Sequence, residues 1–133
     1  PVNALFPETL ECSIEPNFMV RILDVAALLS AYPFAKGAAG RVTLAVSDEW
    51  LPRNQGVFAL EVDAQGSGQC RPIGAHDGAQ VRCDIRVLNR LVSRLVRPRT
   101  AATFGLLEVA DRAALGLLEE WLAGLQPFFS EQF

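Results

Sequence analysis

A chain of 133 residues with net charge −3, half of it hydrophobic and a fifth charged, is one ordinary globular domain. It is long enough to bury roughly two-thirds of its unfolded surface. The charge is too small for a polyanion binder, no apolar run approaches the ~18–20 residues of a membrane span, and the N-terminus lacks the basic and apolar regions of a secretory signal. Cys12, Cys70 and Cys83 form an odd set without a C-x-x-C pair, and His76 is the single histidine. That spacing excludes a zinc ribbon or finger and disfavours a disulfide framework, so free thiols in a reducing cytosol are expected. Pro1 stands where an initiator Met would be, which points to processing or to a domain taken from a longer chain.

In chain order, residues 1–15 hold scattered apolar and acidic residues without period, and are expected to be a linker or a lead-in segment. The domain proper runs over 16–133. Phe18-Met-Val-Arg-Ile-Leu23 alternates as a strand does. Asp24 then caps a short helix whose Val25, Leu28, Leu29 and Tyr32 share a face and which Pro33 limits. Arg41–Val46 is a strand with Val42, Leu44 and Val46 inward, and Val57–Val62 is its partner, with Phe58, Leu60 and Val62 inward. The turn-rich stretch between them predicts an antiparallel pair. Asp63–Gly68 is a turn, and Gln69–Ile73 is a weak edge strand because Pro72 cannot donate to a ladder.

Ala79–Asp84 is the next strand, burying Val81 and Cys83. Asp84 caps a helix to about Val96, with Val87, Leu88, Leu91, Val92 and Leu95 inward. Thr100–Phe104 fits one helical turn, and Gly105–Val109 is a link. Asp111 caps the last helix, which turns Ala114, Leu118, Trp121, Leu122 and Leu125 to one side. Pro127 ends it near Gly124 or Leu125. Phe128, Phe129 and Phe133 follow, an oily end that wants burial. Strands and helices in this order predict an α+β domain, with helices covering one sheet face.

Several local patterns have a plain reading beside a chemical one. Arg82, Arg86, Arg90 and Arg94 recur every four residues, but a strand end breaks the helical register and no aromatic lies between them. A solvated helix face or a domain interface is expected there, not a nucleic-acid stripe. His76-Asp77 and Gly66-Ser-Gly68 are turn chemistry, without the context of a catalytic dyad or a nucleophile elbow. Trp121 belongs to a core stripe, whereas Trp50, beside Asp48 and Glu49, is the better candidate for an interface.

Three passages, in order, carry a family likeness: Met19-Val-Arg-Ile-Leu-Asp-Val-Ala-Ala-Leu28, Val81-Arg-Cys-Asp-Ile-Arg-Val-Leu88, and Gly105-Leu-Leu-Glu-Val-Ala-Asp-Arg-Ala-Ala-Leu115 with the ending Pro127-Phe-Phe-Ser-Glu-Gln-Phe133. Together they resemble the C-terminal domain of Eis-type (enhanced intracellular survival) acetyltransferases of the GNAT superfamily, over roughly Pro16–Phe133. The resemblance implies a sterol-carrier-protein-like fold, a mostly antiparallel sheet of four to five strands with helices on one face. It implies that acetyl-CoA-binding GNAT modules lie upstream in a cytoplasmic homo-oligomer, that acetyl-CoA is the co-substrate, and that a small amine is acetylated. This chain has no glycine-rich pyrophosphate loop of its own, so no cofactor or metal is expected within it, nor a nucleic-acid or membrane partner.

The resemblance further implies that the α-carboxylate of Phe133 takes the proton of the substrate amine, with Phe129, Glu131 and Gln132 beside the substrate. A carboxylate partly desolvated by aromatic neighbours gains basicity, and an anchored ring can aim it. The sequence departs from the common Pro-Trp-x-x-Asp-Phe-Phe ending at Phe128, Glu131 and Gln132. It departs also from the Leu-Tyr-x-Gly pattern after the second helix cap, where Leu91-Val-Ser-Arg94 stands. Two other functions fit the same residues: a lipid carrier enclosing an apolar tunnel, and a structural oligomerisation domain.

Overall fold

The computed structural model describes residues 21–74 and 78–124. Within them the order is helix α1 (Val25–Ala31), strand β1 (Gly40–Ser47), a short 3-10 turn (Pro52–Asn54), β2 (Gly56–Val62), β3 (Gly68–Gly74), β4 (Val81–Asp84), α2 (Ile85–Val92), α3 (Pro98–Thr103), β5 (Leu107–Val109) and α4 (Arg112–Trp121). The five strands form one sheet in the order β3-β2-β1-β4-β5. All neighbours are antiparallel except β1 and β4, which run parallel with Leu44 beside Val81. The chain therefore folds an antiparallel meander first and returns to its inner edge with β4.

Three aspartates start three helices as expected. Asp24 accepts from the Ala27 amide at 3.0 Å, Asp84 from Arg86 at 2.8 Å and Asp111 from Ala113 at 2.9 Å, each satisfying a donor that the first helical turn leaves unpaired. Tyr32 closes α1 in extended geometry, the conformation Pro33 imposes on the residue before it. Between β2 and β3 the Asp63 carboxylate accepts from the Gln65 and Ser67 amides. Gly66 there has φ 84°, and a Cβ on it would lie 2.3 Å from the Phe34 carbonyl oxygen, so only glycine fits. Pro72 sits on edge strand β3, opposite Phe58, where the β2–β3 register shifts.

The strands place Val42, Leu44, Val46, Phe58, Leu60, Val62, Cys70, Val81, Cys83 and Leu107 on one face, in a single buried cluster with residues of all four helices. Trp121 is its plug. Fully buried, it donates from Nε1 to the Ala38 carbonyl at 2.8 Å, its own carbonyl accepts from Ala35 at 2.9 Å, and Phe34 meets its ring edge-on at 6.0 Å. The opposite face carries Arg41, Thr43, Ala45 and Ser47 from β1, Ala59 and Glu61 from β2, and Arg82 and Glu108 from β4 and β5. Its only apolar cluster among the described residues is small: Ala45, Val57 and Ala79, with Ile73 packed against them.

Four expectations are corrected. The strand expected over Phe18–Leu23 is not strand in its described part, because the Asn54 side chain takes the hydrogen bonds there. Asn54 donates to the Ile22 carbonyl at 3.0 Å and accepts from the Val25 amide at 2.9 Å. Helix α2 ends at Val92 rather than Val96, since Arg94 turns left-handed with φ 58°, and Leu95 beyond it is exposed instead of inward. The stretch read as a link, Gly105–Val109, contains β5, whose Leu107 and Val109 pair with Cys83 and Val81. The final helix stops at Trp121, a few residues before the expected end.

Candidate functional site

The residues expected to touch substrate, Phe129, Glu131, Gln132 and the Phe133 carboxylate, lie outside the described residues, as do Cys12, His76 and Asp77. What the structure describes is the platform from which the last segment departs, two further surface features, and the thiols. No group of three or more His, Cys, Asp and Glu stands together as a metal site among the described residues. No helix there is long and apolar enough to cross a membrane.

The platform is the junction of three segments. At the end of α2 the Leu95 amide donates to the Arg90 carbonyl and the Arg94 amide to that of Leu91, at 2.9 and 3.1 Å, a Schellman ending whose left-handed residue is Arg94. The Arg94 guanidinium lies over the Tyr32 ring, 5.6 Å from its centroid. The Tyr32 hydroxyl donates to the Val92 carbonyl at 2.5 Å, and its ring contacts Phe34 at 4.9 Å. Burial pushes the Tyr32 phenol above its ordinary value, against the opposing pull of Arg94, so it is a donor at neutral pH. Gly124, with φ 154°, packs so closely that a Cβ on it would lie 3.1 Å from the Arg94 guanidinium carbon.

The second feature is a buried polar knot at the loop after β1. Asp48 is 3% exposed. Its carboxylate accepts from Arg21 at 2.8 Å on both oxygens, from Asn54 at 3.1 Å, and from the Trp50 and Leu51 amides at 2.9 and 3.2 Å. Burial alone would raise its pKa; these donors outweigh burial and hold the carboxyl well below the usual carboxylate range. A carboxylate so saturated is an anchor and not a base. It fixes the loop that presents Trp50, 78% exposed, next to a depression of about 390 Å³ that Arg21, Glu49 and Arg86 help to line.

The third feature is an open depression of about 660 Å³ on the face without helices, bounded by Ala45, Ser47, Val57, Arg82, Asp84 and Glu108. Arg82 and Glu108 face each other across β4 and β5 at 3.9 Å, both largely exposed. Exposed Phe104 and Leu106 lead up to its rim. Of the four spaced arginines, Arg82 lies on this sheet face and Arg86 on the capping carboxylate of Asp84, while Arg94 turns inward onto Tyr32. They make no common stripe.

Cys70 and Cys83 are free and buried, and burial pushes both thiols up to about 12, so neither is a nucleophile near neutral pH. Ser67 is bound into the Asp63 turn through its amide, as its flanking glycines foretold. The Asp48 knot and the inward turn of Arg94 are the features sequence reading missed. The first joins residues 27 apart, which no local pattern reveals. The second did leave a trace, in the arginine standing where the Leu-Tyr-x-Gly pattern has its glycine.

Comparison with known proteins gives this geometry a frame. The model of the family described as "Sterol carrier protein domain" matches residues 25–130. Among solved structures, a GCN5-related N-acetyltransferase from Anabaena variabilis superposes with a TM-score of 0.72 at 29% identity, and one from Kribbella flavida with 0.69 at 31%. Eis1 from Mycobacterium abscessus superposes with 0.62 at 22% identity, a likeness of fold alone. The matches cover 80% of this chain, or 79% for Eis1. This chain spans about a quarter of each of those proteins: 26% of the Anabaena and Kribbella chains and 25% of Eis1. No curated protein matches.

Proposed function

This chain belongs to the sterol carrier protein domain family, and from that premise we propose that it serves as the non-catalytic C-terminal module of an Eis-type GNAT acetyltransferase. One observation carries the reading. Two N-acetyltransferases share this fold at 29% and 31% identity, and in each the shared part is only 26% of the chain. The physical state of the domain supports it. The space between helices and sheet, where a carrier would hold its lipid, is filled by Trp121, Phe58, Leu60 and Leu91, each almost wholly buried. The sheet face without helices, with exposed Trp50, Phe104 and Leu106 nearby, offers a surface for an upstream acetyl-CoA-binding module of the same chain or for other subunits of a homo-oligomer.

In this reading the α-carboxylate of Phe133 is the general base. It accepts a proton from the substrate ammonium, the freed amine attacks the acetyl-CoA thioester, a C–N bond forms and the C–S bond breaks, and coenzyme A leaves as the thiol. Glu131 draws the cationic substrate in, while Phe129 and Gln132 line its path. The Asp48 carboxylate is saturated, and Asp24, Asp84 and Asp111 are occupied at helix starts. The buried free thiols fit a reducing cytoplasm.

The test is removal of Phe133 from the full acetyltransferase. Turnover should fall by at least about a hundredfold, the scale of losing a general base, with acetyl-CoA affinity retained. Unaltered turnover would rule the reading out. Saturable binding of a fluorescent fatty acid by the 133-residue chain would favour the carrier instead.

A further inference from the structure

A left-handed backbone costs any residue with a Cβ, so a helix ending of the kind that closes α2 is ordinarily filled by glycine. Arg94 occupies it here, at φ 58°. The arginine must contribute something a glycine cannot, and its surroundings say what. The guanidinium lies over the Tyr32 ring and so near Gly124 that a side chain at position 124 would press against it. Its Nε is buried and has no hydrogen-bond partner among the described residues, so planar packing and charge hold it there. Tyr32 is tied to the same helix end through the Val92 carbonyl, and through Phe34 to Trp121, three residues before Gly124. Residues 32, 94 and 124 thus lock one another at the place where α4 gives way to the final segment.

We propose that Arg94 is the clamp that sets where the chain leaves α4, and hence a positioning residue for the C-terminal carboxylate; the second half rests on the acetyltransferase reading above. The left-handed cap then serves to turn a long planar cation inward, at a cost in backbone geometry. Fold and clamp make opposite demands on position 94, and one substitution separates them.

Arg94→Gly keeps the cap and removes the clamp. The expected result is a melting temperature equal to or above that of the parent, together with hydrogen exchange about tenfold faster at the Leu122 and Ala123 amides that close α4, the change expected when a local opening equilibrium shifts alone. Arg94→Lys, which restores a cation without the planar fork, should recover part of the protection. In the full acetyltransferase, Arg94→Gly should lower kcat while KM for acetyl-CoA holds. Exchange unchanged in Arg94→Gly overturns the clamp. So does faster exchange throughout the domain accompanied by a lower melting temperature, which would make Arg94 an ordinary stabilising residue. Deletion of Phe133 tests the other reading separately: with faster exchange in Arg94→Gly but undiminished turnover on that deletion, the clamp stands and the terminal base falls. Undiminished kcat in Arg94→Gly, where the Phe133 deletion is inactive, removes the positioning role.

Discussion

Leu44 and Ala45 are neighbours in sequence and point to opposite sides of one sheet. On Leu44's side every strand but β3, which gives Cys70, contributes branched or aromatic residues, and all four helices pack down on them. On Ala45's side the apolar residues shrink to Ala59 and the small cluster of Ala45, Val57 and Ala79 with Ile73, and charges stand around them in loose cross-strand pairs, Arg41 with Glu61 at 3.8 Å and Arg82 with Glu108 at 3.9 Å. The first face is a finished core. The second is neither core nor an ordinary wet surface: its centre is apolar and almost closed to solvent, while its rim is polar and adjustable. That combination, a small dry patch ringed by polar groups, buries far less apolar surface than the covered face does.

Substitutions that act on one side only would break or sharpen this contrast. The largest effect belongs to Trp121→Ala, which empties the plug of the covered face and leaves the Ala38 carbonyl without its indole donor. It should cost about 3–5 kcal/mol and shift the urea midpoint accordingly, with an unchanged slope if the rest of the sheet is intact. A loss below about 1 kcal/mol would mean that the covered face is not the main source of stability.

The next effect lies at the seam between the faces. Asp48→Asn keeps the shape of the knot and removes the charge that Arg21, Asn54 and two amides serve, at about 2 kcal/mol near pH 7. Because the folded pKa of Asp48 is depressed, its stabilising share is complete above the unfolded value near ~4 and is lost as pH falls below it. The gap in unfolding midpoint between the parent and Asp48→Asn should therefore narrow steadily below pH ~4 as the pH is lowered from 7 to 3. Parallel curves would remove the charge from the explanation. The smallest effect is on the helix-free face, where Arg82→Ala should change stability by less than ~0.5 kcal/mol in the isolated domain, because the pair with Glu108 is open to solvent. A much larger loss would show that this face is already committed to the domain's own stability.

The covered face was legible because it obeys short periods. Val42, Leu44 and Val46 alternate, as do Phe58, Leu60 and Val62, and each aspartate that precedes an apolar helical stripe caps it. What escaped depends on contacts between distant residues. Nothing near Arg21 announces Asp48, and nothing near Ile22 says that an asparagine 32 positions later will take its carbonyl and dissolve the expected strand. Strand β5 is three residues long and exists because β4 offers it an edge, so no window around Leu107 could have carried its signal. The candidate site divides in the same way. The terminal residues were singled out by family likeness, whereas the junction at Arg94 needed three segments brought together in space.

The attachment of Trp121 has a consequence for how the chain comes off the ribosome. The β1–β3 meander can pair as soon as residue 74 is made, yet the indole that seals its inner side belongs to a residue 83 positions after the Ala38 carbonyl it bonds. Until that late residue emerges, one face of a half-built sheet of valines and leucines stands open to wrong contacts while synthesis continues.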